Sequence, residues 1–113
     1  MKWGQAATVF SAYGLWRATG LARAGAAVAS ALASADETNR TAAGVLLARA
    51  GERSLPLLRE NLARGVAVAL SLRVLGDIGG RQAAAAIEPL TRSADPAIAG
   101  VAADALKAAG KPA

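Results

Sequence analysis

The chain has 113 residues, a net charge of +5 and neither cysteine nor histidine. That length allows one domain with a small core, and the missing residue types exclude disulfide frameworks, the common zinc sites and histidine-based acid–base chemistry. Alanine dominates and β-branched residues are few, so thin, closely packed helices are expected rather than strands.

The first 25 residues stand apart. All four aromatics are here, at Trp3, Phe10, Tyr13 and Trp16. The stretch from Trp3 to Trp16 carries no charge and is bracketed by Lys2 and Arg17. At 14 residues it falls short of the ~20 that span a bilayer. A charged start before a short apolar run is also the pattern of a signal peptide, but Gly4, Gln5, Ser11 and Gly14 make the run only mildly apolar. The periodicity predicts a helix over 3–22, with Trp3, Phe10 and Tyr13 near one face and Trp16 beside it. Such a helix can cap the rest of the chain, dock a protein, or lie at a membrane surface, where Trp and Tyr are favoured and Lys2, Arg17 and Arg23 suit anionic lipid. Trp3, Phe10, Tyr13, Trp16 and Arg17 are therefore the candidate partner or lipid contacts.

Residues 26–35 read as a short Ala-rich helix with Val28 and Leu32 inward. Ser34, Ala35 and Asp36 form a turn, with Asp36 as N-cap of the next helix and Glu37 in its first turn. That helix runs to Ala50, buries Ala42 or Ala43, Leu46, Leu47 and Ala50, and stops at Gly51. Ser54 and Pro56 open another helix with Leu55, Leu58 and Leu62 inward. Arg64 and Gly65 turn into a helix over 66–78, with Leu70, Val74 and Leu75 buried, that ends at Gly79. Residues 81–94 form the next helix, with Ile87 and Leu90 inward. Ser93, Ala94 and Asp95 repeat the earlier turn, and the last helix uses Val101, Ala105 and Leu106 before Gly110 and a frayed tail at 111–113.

One phrase recurs through this series. Leu-Ala-Arg-Ala-Gly stands at 21–25 and again at 47–51, and looser copies begin at Leu75 and Leu106. Each has a Gly four residues after its Leu, and the Leu-to-Leu spacings are 26, 28 and 31 residues. Asp36 precedes Leu47 by 11 residues and Asp95 precedes Leu106 by the same 11. A fixed period in this range, between helical runs, marks stacked repeats whose units cannot bury their apolar faces alone. The expected organisation is an aromatic helix at 1–25 and helix pairs at 26–51, 52–80 and 81–110. The phrase reads as punctuation, with its Leu as the last core residue of each second helix and its Gly as the stop.

The segments SADETNRTAAGVLLARAG and AIEPLTRSADPAIAGVAADALKAAG resemble HEAT-like repeats, of the short kind also found in phycobilin lyase subunits. Arg40 stands at the family's arginine position, whereas Val68 and Ala99 depart from it. The resemblance implies an all-α fold, an α-α superhelix built as a short solenoid of about three to four antiparallel helix pairs. It also implies a scaffold that binds partners.

Little in the chain suggests chemistry. Asp36 and Asp95 are read as caps, and Glu37, Glu52, Glu60, Asp77, Glu88 and Asp104 fall at exposed helix positions. Gly76, Gly79 and Gly80 lack the strand and Lys-Ser/Thr of a phosphate loop. In the aligned second helices Arg49 matches Asp77 and Ala108, and Arg73 matches Val45 and Asp104, so no basic ladder tracks a nucleic-acid backbone. The expectation is a non-catalytic, cofactor-free, cytoplasmic scaffold for a protein partner or a second copy of itself. The alternatives are a peripheral membrane subunit held by its aromatic helix and a lyase-type accessory chaperone.

Overall fold

The computed structural model describes the backbone of residues 2–20 and 22–110, and the side chains of 8–20 and 23–110. The expected tail at 111–113, the Trp3 side chain and Leu21 lie outside the described residues. Among those described, the chain is all-helical, without strands. α1 is Lys2–Thr19, α2 Ala22–Ser30, α3 Glu37–Ala50, α4 Leu55–Arg64, α5 Val68–Ile78, α6 Gly80–Ile87 and α7 Pro96–Ala109, with 3-10 turns at Ala31–Ala33, Gly51–Ser54 and Glu88–Arg92.

The helix starts and stops follow from single residues. Asp36 accepts hydrogen bonds from the N–H groups of Thr38 (2.7 Å) and Asn39 (3.3 Å), which opens α3. Asp95 accepts from Ala97 N–H at 2.9 Å, and Pro96 follows where its absent N–H leaves nothing unsatisfied. The two turns share their geometry: Ser34 and Ser93 each accept from the N–H two residues on, at 3.1 and 3.2 Å, with ψ of 143° in both. Gly51 and Gly79 stop α3 and α5 at φ of 62° and 72°, a region that costs glycine little. Gly110 ends α7 with φ of −83° instead. α4 closes in a Schellman motif, where Val66 N–H donates to Asn61 C=O (2.8 Å) and Gly65 N–H to Leu62 C=O (3.2 Å).

Three expectations are corrected. The first helix stops at Thr19, because Gly20 takes φ of 72°, and α2 starts at Ala22. Residues 22–25 of the first copy of the Leu-Gly phrase therefore open α2 instead of ending a helix, and Gly25 is helical and buried. Ser54 does not cap α4. It is fully buried, and its hydroxyl donates to Leu47 C=O at 2.6 Å, tying the end of α3 to the start of α4. α5 begins two residues late, at Val68, after Ala67 adopts φ of 45°.

The helices form two layers. α1, α3, α5 and α7 lie side by side in that order, and α2, α4 and α6 cover them. Val28, Leu32, Leu47, Leu58, Leu72, Leu75 and Ile87 fill the space between the layers. α5 is the most enclosed helix, touching α3, α4, α6 and α7, so Ser71, Leu72, Val74, Leu75 and Gly76 are all buried. Leu72 is buried where the single-stripe reading left it outside. On α7 the innermost residues are Ala102, Ala105 and Ala109, with Val101 and Leu106 at the margins of that face. α5 and α7 meet closely: a Cβ on Gly76 would stand 3.0 Å from the Ala105 carbonyl oxygen and 3.1 Å from its Cα. Asn61 provides a buried polar tie, its Nδ2 donating to Ala29 C=O (3.2 Å) and Ser71 Oγ (3.3 Å), so that α4 holds both α2 and α5. The Cα radius of gyration of 13.5 Å is that of a compact domain, ~13 Å for about 100 residues.

Candidate functional site

The aromatic helix divides its candidate contacts between core and surface. Trp16 is buried, and its indole lies against Gly25 of α2, where a Cβ would come within 2.9 Å of Nε1. Tyr13 is half-buried and meets Trp16 edge-on, with ring centroids 6.1 Å apart. Phe10 is 54% exposed, and Arg17 is exposed with its carbonyl accepting from Arg53 Nη1 at 3.2 Å. Trp16 thus seals α1 onto α2, and among the described members of the set Phe10 and Arg17 lie on the surface. Among the described residues no helix is long and apolar enough to cross a membrane.

A concave feature lies further along the layer that α1 shares with α3, α5 and α7. A groove of about 540 Å³ runs between α3 and α5, lined by Leu32, Thr41, Gly44, Val45, Ala48, Leu70 and Val74, with Glu37, Arg40, Arg73 and Asp77 at its margins. A second depression of about 320 Å³ lies between α5 and α7, bounded by Arg73, Asp77, Val101, Asp104, Ala105 and Ala108. Arg73 and Asp77 border both, so the two are parts of one trough across α3, α5 and α7. Its floor is shallow for a reason visible in the sequence. Positions 44, 48, 105 and 108 carry Gly or Ala, which bring little side-chain bulk between neighbouring helices.

The charges around the trough are free to engage a partner. Glu37, Arg73, Asp77 and Asp104 are exposed, and none forms an ion pair among the described residues; the pairs present are Arg64–Glu60 and Arg92–Glu88, both on one helical turn and solvated. Hydrogen bonding and charge attraction from Glu88 raise the pKa of Arg92. Arg40 is already occupied, its Nη1 donating to Ser34 C=O and Ala35 C=O, both at 2.9 Å. It therefore braces the turn before α3 from within the helix. Asp77 and Asp104 share the smaller depression, and among the described residues no group of three or more His, Cys, Asp or Glu side chains is placed to hold a metal ion.

The alignment of the second helices already sets the trough residues Val45, Arg73 and Asp104 level with one another in the sequence, where they read as a broken basic ladder. Val45, Arg73 and Asp104 occupy one register position in α3, α5 and α7, counted from Leu47, Leu75 and Leu106. The structure brings all three to one face. Comparison with protein-family models, with curated proteins and with solved structures found no match.

Proposed function

We propose that the chain is a non-catalytic helical-repeat scaffold, a short HEAT-like solenoid that docks a protein along the face of α3, α5 and α7. The observation that carries this reading is the trough itself: residues of equal register in successive helices line two adjoining depressions on one face. Stacked repeats generate such a surface because each unit contributes the same helix face. The matching Ser-Ala-Asp turns before α3 and α7, alike in backbone angles and hydrogen bonds, support the repeat reading. The chemistry of the face also suits a protein. Val45 is a large apolar residue 56% exposed in a small-residue floor, and unpaired charges rim it. That is the layout of an interface, with an apolar centre and a polar border. α1 closes the open side of the first repeat through Trp16 and Tyr13.

A photo-reactive residue placed at position 45 tests the assignment, with the exposed position 59 on α4 as control. Protein adducts that form in cells from position 45 and not from position 59 support docking on this face. Equal adducts from both positions, or adducts from position 59 alone, contradict it.

A further inference from the structure

We propose that the occupant of the trough is α1 of a second copy of this chain, an inference that rests on the docking reading above. The exposed apolar side chains come first. Among the described residues the large ones are Phe10 (54%), Leu15 (48%) and Val45 (56%). One lies in the trough, and two lie on α1. Phe10, Gly14 and Arg17 are all exposed and follow one another at i, i+4 and i+7, so they form one strip along the helix. A Cβ on Gly14 would meet nothing within 4 Å, so the middle of the strip is a notch open to a close approach.

The charges are complementary. The chain as a whole carries +5, yet the trough sets three carboxylates, Glu37, Asp77 and Asp104, against two guanidiniums, Arg40 and Arg73, of which Arg40 is anchored on the carbonyls of its own turn. In the smaller depression two carboxylates face a single guanidinium. An acidic trough on a basic protein selects a cationic partner and repels an anionic one. Arg17, two turns along the same strip from Phe10, supplies that cation.

The spacing agrees as well. Phe10 and Arg17 are seven residues apart, ~10.5 Å along α1 at ~1.5 Å per residue. The step from the α3/α5 depression to the α5/α7 depression is one helix spacing, ~8–10 Å for packed helices. With α1 of one copy laid across the three helices of another, Phe10 enters the apolar depression beside Val45 and Val74 while Arg17 reaches Asp77 and Asp104. Gly14 then passes over the ridge of α5 between them.

Sedimentation velocity of the full chain over a concentration series tests this, with two variants: Phe10→Glu, which spoils the strip, and Asp77→Arg/Asp104→Arg, which spoils the trough. The changed residues are exposed, and helicity measured by circular dichroism checks each fold. The expected result is that the native chain self-associates and each variant alone is weakened by about tenfold or more, as for loss of a buried interface anchor. An equimolar mixture of the two variants regains pairing, since one contributes an intact strip and the other an intact trough. A native chain that stays monomeric overturns the proposal, as does native-like association of either variant, or a mixture of folded variants that fails to pair. Flotation of the native chain with anionic vesicles, lost in Phe10→Glu while the chain stays monomeric, assigns the strip to lipid and likewise overturns it. Adducts between position 45 and a different protein, from a chain that is monomeric when pure, would leave the docking face standing and remove only this occupant.

Discussion

Two glycines show how a single missing Cβ sets local packing, and they call for opposite outcomes of the same substitution. Gly76 lets α5 approach the Ala105 backbone, and a methyl group there would stand 3.0 Å from a carbonyl oxygen that cannot move alone. Gly76→Ala is expected to destabilise the fold by about 1–3 kcal/mol, the usual cost of overpacking. Gly100 lies inside α7, and a methyl group there would have nothing within 4 Å. Gly100→Ala is expected to stabilise by about 0.4–1 kcal/mol through lost freedom of the unfolded chain. Urea denaturation of both variants measures the two signs. Trp16→Ala should cost about 3–5 kcal/mol in the same assay, as for other buried aromatics, whereas Phe10→Ala, at a 54% exposed position, should change stability within about 0.5 kcal/mol. The sequence does not separate these two aromatics, because both sit in one uncharged run and the helical wheel alone has no fixed phase. What distinguishes them is a partner on another helix, Gly25 against Trp16, and no local pattern announces it.

At the scale of elements, the capped helices are the most legible. Asp36 and Asp95 announce α3 and α7 because a cap is a local hydrogen bond between residues two or three apart. Their replacement by Ala should cost about 0.5–2 kcal/mol each. Asp36→Ala should cost the more, since Asp36 accepts from two N–H groups and Asp95 from one, ahead of a proline. Thermal or urea unfolding of the two variants ranks them, and equal losses would show that the second bond to Asp36 contributes nothing. α5 is the least legible helix. With neighbours on four sides it buries a sector wider than one stripe and leaves only Arg73 and Asp77 exposed, so a reading based on one apolar stripe leaves Leu72 outside. Its late start rests on Ala67 in a left-handed conformation, which an alanine does not advertise. The Leu-Gly phrase misleads at 21–25 for a related reason. Sequence identity with 47–51 carries no information about what each copy packs on, and the Gly that ends α3 in one copy serves as the seat of an indole in the other.

At the scale of the molecule, two layers of helices produce a trough without any dedicated binding loop. Its shape follows from the Gly and Ala content of α3, α5 and α7, which the composition already shows. Its charge follows from register, and register becomes meaningful only once the three helices are known to lie side by side. The equivalence of Val45, Arg73 and Asp104 is thus readable in the sequence, but as a broken basic ladder. The structure supplies the adjacency that makes it a mixed apolar and acidic surface. Side-chain footprinting by hydroxyl radicals, read by mass spectrometry on the isolated chain and on its assembled form, tests most directly whether this face is where the protein docks. Assembly should lower the oxidation of Val45 and Leu70, and leave Leu57 and Leu62 of α4 as they are in the isolated chain. Unchanged oxidation of Val45 in a chain that has assembled, with protection falling on α4 or α6, would contradict it.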